Sequence, residues 1–350
     1  MWSQREIFEF SDLVTTLNHY RGACIKQLEK FSTTGYRTEE EISQIRQAIN
    51  SNADLFEYMA RKAPAAFGNG PIPQFPMTRP IEEFDTTDLH QLSSALKSAS
   101  RDWTSLGEIE RQQTYSPIIS ALKDFLPQDS KILIPGAGLC RLAVEIASAG
   151  YIACANENAF IMLVISHIAF RHKKEFRIFP FIHQISGLES FNDSLISEVF
   201  PRYPVQNISP NGEIDGEIEN AVIDPLFLIE HQRLVLMAGD IDGMQNSQQN
   251  QFDGVVTCFF IDVVPDVRNL LDLISKVLKP GGYWINLGPL MMHRADDDFF
   301  AKASFNDIPR IAQNAGLTII RESRIETSYI ENPNTNIKTN YRCQFLVAQK

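Results

Sequence analysis

The chain reads as an α/β protein: a mostly parallel sheet covered by helices on both faces, preceded by a helical extension. Three observations point there. Apolar residues in the first third recur at helical spacing. From Lys131 onward, short apolar runs alternate with amphipathic stretches, as strands and helices do when a parallel sheet is built. At 350 residues, 44% hydrophobic and 21% charged, the chain can bury a large core and has room for two structural units.

Phe10, Leu13, Val14, Leu17, Cys24, Ile25 and Leu28 share one helical face. A second helix is expected from Thr38 to Lys62. Thr38 is placed to cap it and Glu41, three residues on, completes a capping box. Its inner face carries Ile42, Ile45, Ile49, Leu55, Phe56 and Met59. Pro64, Pro71, Pro73, Pro76 and Pro80, with Gly68 and Gly70, then break the pattern and read as a linker over 64–80. Helical spacing returns at 88–103 and 115–125. The expected division is therefore a helical extension, 1–125, and a sheet domain, 126–350.

Within the sheet domain, strands are expected at 131–134, 151–156, 234–238, 254–260, 283–287, 317–321 and 342–348. Helices fill 139–149, 267–278 and 307–315. The stretch 190–232 is long, polar and rich in Pro and Asn, and reads as an insertion.

Lys and Arg total 32 against 43 Asp and Glu, a net charge of −11. That balance argues against a nucleic-acid partner, which needs a basic face, and admits a small cationic substrate. No apolar run is long enough for a membrane span. The opening residues carry Arg5, Glu6, Glu9 and Asp12 where a secretion signal needs apolar chain. Cys24, Cys140, Cys154, Cys258 and Cys343 are odd in number, far apart and without C-x-x-C spacing. Free thiols in a reducing cytoplasm are expected, with the nucleus also open to such a chain. The histidines show no ligand spacing, so no metal is expected.

The chemistry begins at Gly136-Ala-Gly138, a strand-to-helix turn whose glycines let backbone approach a ligand. Glu157 ends the next strand, about twenty residues on, where a carboxylate can accept ribose hydroxyl hydrogens. Asp240 ends the third strand, positioned for an adenine amino group. Lys279-Pro-Gly-Gly282 precedes the fifth strand. The third glycine of a dinucleotide fingerprint is missing, since Arg141 stands there. That weighs against NAD and favours S-adenosylmethionine.

These residues resemble the carnosine N-methyltransferase family. The likeness is carried by Ile132-Leu-Ile-Pro-Gly-Ala-Gly-Leu-Cys-Arg-Leu-Ala143, by Asn156-Glu157 with Phe160-Ile-Met-Leu163, and by Thr257-Cys-Phe-Phe-Ile-Asp262. It extends to Lys279-Pro-Gly-Gly-Tyr-Trp-Ile-Asn-Leu-Gly-Pro-Leu290, Arg101-Asp-Trp103, Tyr115-Ser-Pro-Ile-Ile119 and Leu17-Asn-His-Tyr-Arg21. It implies a Rossmann-like class I methyltransferase sheet of seven strands with a helical N-terminal extension. The implied activity is methyl transfer from S-adenosylmethionine to an imidazole nitrogen of a histidine-containing dipeptide.

By the same resemblance, Arg101, Gly136, Gly138, Glu157, Asp240, Ile241 and Cys258 fall on cofactor positions. Asp262, His293, Tyr329 and Tyr341 fall on substrate positions. Without the resemblance Asp262 could equally cap the next helix, His293 could be a loop residue and the tyrosines packing. The chain departs from the family at Cys140, usually Gly; Asn158, usually aromatic; Ser98, usually Gln; and Thr339-Asn340, where tyrosines are usual. Peptide or protein histidine, another small metabolite, and a cofactor-binding scaffold stay open as alternatives. A small-molecule partner, no nucleic acid and no membrane are expected, and a homodimer is compatible.

Overall fold

A computed structural model of the chain describes residues 3–67, 79–171, 174–184, 186–202, 205–206, 222–291 and 302–350. Most of the proline linker, part of the 190–232 stretch, and His293 lie outside these residues.

Contacts divide the chain into two compact units. One draws on residues 1–108, 159–203 and 330–338, the other on 109–158, 204–329 and 339–350.

The first unit is mainly helical. Helix α1 (Gln4–Ser32) starts at a capping box formed by Ser3 and Glu6. Helix α2 (Glu39–Lys62) starts at the box read from sequence: the Glu41 N–H donates to Thr38 Oγ1 at 3.2 Å and the Thr38 N–H to Glu41 Oε2 at 2.9 Å. Each box satisfies amides that the first helical turn leaves free. Helix α3 (Thr86–Trp103) has Asp85 and Asp88 in the same arrangement. Phe10, Leu17, Tyr20, Leu55, Phe56 and Met59 are buried between α1 and α2. Helix α6 (Phe160–Arg171) belongs to this unit, and its Phe170 meets Trp103 edge-on with ring centroids 5.6 Å apart.

The second unit is built on seven strands: β1 (Lys131–Pro135), β2 (Ile152–Glu157), β3 (Leu234–Ala238), β4 (Phe252–Cys258), β5 (Leu278–Gly288), β6 (Thr318–Thr327) and β7 (Tyr341–Gln349). Their spatial order is β3-β2-β1-β4-β5-β7-β6. Pairings from β3 through β5 are parallel, and β7 runs antiparallel to both its neighbours. The chain winds outward from β1 to β3, then restarts on the other side of β1 at β4. That reversal opens a crevice at the carboxyl ends of the strands.

Along β1, Leu133 faces a cluster containing Val267, Leu271, Ile274, Trp284 and Leu346. Its neighbours Ile132 and Ile134 point the opposite way, because strand side chains alternate, and they too are buried. Covered faces on both sides explain why β1 is a continuous apolar run. Helices α5 (Arg141–Ser148), α7 (Val267–Val277) and α8 (Asp307–Asn314) pack on this unit.

Several elements differ from their sequence reading, among them strand β6, which runs to Thr327, six residues past the expected Arg321. Helix α4 begins at Glu108, seven residues before the expected Tyr115, and runs to Phe125 through Pro117. Its first turns are polar, so they carry no apolar period to read. Strand β5 begins at Leu278 and includes the Lys279–Gly282 stretch that was expected to precede it. Gly281 donates to the Lys350 carbonyl at 3.0 Å and Lys350 donates to the Gly282 carbonyl at 2.9 Å, so pairing continues through the glycines. Strand β4 stops at Cys258, two residues before the expected Phe260, because Phe259 turns left-handed at φ +52°.

Candidate cofactor and acceptor site

At the carboxyl ends of β1, β2, β3 and β4 lies a cavity of about 350 Å³. That is within the range of small-ligand pockets. It is lined by Gly136, Asn156 to Asn158, Gly239 to Asp242, Phe260, Val263 to Asp266, Asn269 and Leu270. Four of the expected cofactor residues, Gly136, Glu157, Asp240 and Ile241, meet there.

The turn after β1 explains how. Gly136 and Gly138 both hold positive φ, +60° and +56°, a region costly for other L-residues. A Cβ on Gly136 would also run into the ring of Phe260. The Ala137 N–H donates to the Asn156 carbonyl at 2.9 Å, tying the turn to the end of β2. The Gly138 N–H donates to Glu157 Oε2 at 2.8 Å, and the Asn158 N–H donates to Oε1 at 2.9 Å. Gly138 is thus joined to the site through Glu157. Each carboxylate oxygen has two lone pairs. A carboxylate oxygen can therefore accept from more than one donor.

On the neighbouring edge, Asn156 Nδ2 donates to the Gly239 carbonyl at 2.8 Å, and the Gly239 N–H donates to the Glu157 carbonyl at 3.0 Å. Asp240 accepts from the Asp242 N–H at 3.0 Å through Oδ1. Ile241 is buried and offers an apolar face. Carboxylates for hydroxyl and amino hydrogens, apolar faces at Ile241, Phe260 and Leu270, and open backbone at the glycine turn together fit an adenine nucleoside. They therefore fit S-adenosylmethionine.

A second feature lies beside the first. Cys258, half-buried, ends β4. Phe259 follows and stacks on Tyr329, ring centroids 4.9 Å apart and planes 22° apart. It meets Tyr341 edge-on at 6.1 Å, and the two tyrosines meet edge-on at 6.2 Å. All three rings are half-buried.

Asp262 is 2% exposed, and its Oδ2 accepts from the Met291 N–H at 3.0 Å. It does not cap the following helix: Asp266 does, accepting from the Arg268 N–H at 2.8 Å. Burial pushes the Cys343 thiol up, and the charge of Asp262 adds to that rise. Asp262 therefore lies near the start of β7, which also carries Tyr341.

Arg101 is in the helical unit, near the end of α3, with its Nε 2.7 Å from Asp102 Oδ1. His293 is outside the described residues. Among the described residues no group of His, Cys, Asp and Glu could hold a metal ion, and no helix is long and apolar enough to cross a membrane. All five cysteines are free thiols.

Phe259, Phe260 and the wall from Val263 to Asp266 were not among the expected site residues. Two large aromatics just past a strand at the carboxyl edge of a parallel sheet are the signal that could have found them. Reading the strand through to Phe260 concealed it.

A seven-stranded sheet in this order, with its last strand antiparallel and a nucleoside-sized cavity at the switch point, defines the chain as a class I methyltransferase. The family model for carnosine N-methyltransferase matches residues 80–350. The carnosine N-methyltransferase of Mus musculus is 30% identical over 321 residues, covering 88% of this chain and 75% of that one. That of Schizosaccharomyces pombe is 27% identical over 340 residues, covering 89% and 83%. The chain belongs to the carnosine N-methyltransferase family, whose cofactor is S-adenosylmethionine. A solved SAM-dependent methyltransferase from Methanosarcina mazei aligns at 16% identity and a TM-score of 0.38, covering 66% of this chain and 96% of its own. At that distance it speaks to neither substrate nor mechanism.

Proposed function

We propose that this chain transfers a methyl group from S-adenosylmethionine to an imidazole nitrogen of carnosine or a related histidine-containing dipeptide. The observation that carries this reading is the adjacency, along one loop, of Phe260 in the cofactor-sized cavity, Phe259 on two tyrosines, and buried Asp262. The cofactor, when bound, supplies a methyl carbon on a sulfonium. Glu157 holds the ribose hydroxyls, Asp240 the adenine amino group and Ile241 the adenine face. Cys258 closes the cofactor side at the end of β4, and Arg101 is assigned the cofactor carboxylate.

A neutral imidazole has one lone-pair nitrogen and one N–H nitrogen. Its ordinary pKa is about 6.5, so the neutral form dominates above pH 7. What the protein must select is the tautomer and its direction. Asp262, with Oδ2 engaged by the Met291 N–H, accepts the imidazole N–H on Oδ1. The other nitrogen then directs its lone pair at the methyl carbon. With the cofactor bound, that lone pair would form the N–C bond as the C–S bond breaks, the C–S electron pair staying on sulfur. Positive charge grows on the ring in the field of Asp262, where a fixed carboxylate stabilises it. The ring N–H proton passes to Asp262 or to solvent as product leaves. Tyr329 and Tyr341 wall the ring, and His293 completes its hydrogen bonds.

Methyl-labelled cofactor offered with carnosine, free histidine or a histidine peptide tests the reading. Transfer to carnosine is expected to dominate. Transfer to the peptide alone, or to none, overturns it. Unpaired thiols suit a reducing compartment, and we assign the cytoplasm. A homodimer is the assembly to check by light scattering.

A further inference from the structure

Phe259 and Phe260 are adjacent, yet they serve different spaces. Phe260 lines the cofactor cavity, and its ring occupies the position a Cβ on Gly136 would take. Phe259 is not part of that lining; its ring is stacked on Tyr329 and edge-on to Tyr341. Side chains of consecutive extended residues also point apart, but this pair is not extended. Phe259 has φ +52°, a left-handed conformation that is strained for any residue but glycine. Such strain persists only where surroundings enforce it.

The enforcement is visible. The Phe259 N–H donates to the Leu287 carbonyl at 2.9 Å, so strand β5 holds the turn by its backbone. On the next residue, a Cβ built on Gly288 would lie 3.1 Å from the Phe259 nitrogen and 3.2 Å from its Cα. The turn and β5 are in contact through that glycine. On the other side of the pair, the Val263 N–H donates to the Phe260 carbonyl at 3.1 Å, which directs the loop on to Asp262.

We propose that the Phe259–Phe260 pair is the partition between cofactor and acceptor, and that Gly288 is the positioning residue that sets it. The proposal rests on the methyl-transfer reading above and extends it. Phe259 fixes the acceptor's aromatic wall, Phe260 fixes the cofactor's, and the left-handed turn between them sets the spacing across which the methyl group moves. Gly288 touches neither ligand in this scheme. It acts through Phe259, by allowing the close backbone approach that holds the turn.

The scheme predicts which constant each substitution changes. Phe260→Leu should weaken binding of S-adenosylhomocysteine about tenfold, measured by calorimetry, and leave the carnosine KM near wild type. Phe259→Leu should do the reverse: KM for carnosine rises about tenfold and the S-adenosylhomocysteine affinity holds. Gly288→Ala should follow Phe259→Leu. Gly288 is not in the left-handed region, so alanine brings no backbone penalty of its own. Only the contact with Phe259 changes.

A merely structural role for Gly288 would lower Tm and change both ligands together, which overturns the positioning role. Equal loss of S-adenosylhomocysteine binding in Phe259→Leu and Phe260→Leu overturns the partition. That readout needs no acceptor. If wild-type enzyme methylates no imidazole, the methyl-transfer reading falls, and the calorimetric comparison still decides the partition.

Discussion

The cofactor half and the acceptor half of the site are built from different materials. The cofactor half is mostly backbone and strand ends: the Gly136–Gly138 turn, Glu157 fastened by two main-chain N–H groups, and Asp240 at the end of β3. The acceptor half is side chains gathered from three distant segments, Phe259 after β4, Tyr329 after β6 and Tyr341 opening β7. Backbone geometry of the first kind requires glycine and a carboxylate at fixed spacings. Ring clusters of the second kind impose no spacing at all. The first half can therefore keep its ligand while the second changes, and the departures at Thr339 and Asn340 fall beside Tyr341, in the second half.

The largest expected effect separates the halves most cleanly. Asp262→Asn keeps the shape and replaces an acceptor by a group that can also donate. Turnover should fall by about 10²- to 10⁴-fold, the range of a positioned acid–base group. S-adenosylhomocysteine affinity should stay at its wild-type value. Turnover within a few-fold of wild type would remove Asp262 from the chemistry.

Loss of activity in acid needs a control, because the helical unit has its own titrating group. His183 is hydrogen-bonded to the Tyr20 hydroxyl at 2.8 Å, and burial lowers its pKa to about 4. An unfolded histidine titrates near about 6.5. Between those values the unfolded chain takes up a proton that the folded chain refuses. This contribution is complete above about pH 6.5 and is lost as the pH falls toward 4, at a cost on the order of 3 kcal/mol. Urea midpoints from pH 7 to 4 should fall in the wild type and fall less in His183→Gln. Parallel curves would show that His183 does not set the acid limb, and acid inactivation would then be traced to the site.

Glu157→Gln tests the cofactor half from within. The glutamine amide retains one oxygen, so one of the two backbone donors from Gly138 and Asn158 loses its acceptor. Hydrogen bonds to charged groups contribute about 1.5–3 kcal/mol, which corresponds to roughly 10- to 100-fold in affinity. Binding of S-adenosylhomocysteine should weaken by that amount, with the carnosine KM at saturating cofactor little changed. A change confined to the carnosine KM would mean the two halves are not separable as drawn.

The same division explains what could be read in advance. The Thr38 capping box, the glycine turn and the strand-ending carboxylates are local signals, each a few residues long, and the structure has them where the spacing predicted. The seven strands of the sheet were likewise visible as apolar runs between helices. The end of β4 was not, because an apolar Phe259 looks like more strand until its neighbours force positive φ. The meeting of Phe259 with Tyr329 and Tyr341 depends on β6 and β7 pairing across the sheet, information that no short stretch contains. Resemblance alone brought the two tyrosines forward.

The smallest expected effect lies inside the glycine turn itself. Cys140 stands where the family resemblance leads one to expect glycine; it is buried, and it holds φ +61°. Replacing it with glycine relieves a left-handed backbone worth roughly 1–2 kcal/mol. Against that, glycine costs about 0.5–1 kcal/mol in unfolded-chain entropy, and the buried thiol's packing is lost. The terms nearly cancel, so Cys140→Gly should leave stability within about 1 kcal/mol of wild type. Cys140→Val has no such compensation, because a β-branched residue fits positive φ poorly. It should unfold at distinctly lower urea and weaken S-adenosylhomocysteine binding, since Gly138, two residues earlier, is the amide that holds Glu157. If valine is tolerated without loss of cofactor affinity, the turn is not the rigid half of the site, and the contrast with the ring cluster fails at its firmest point.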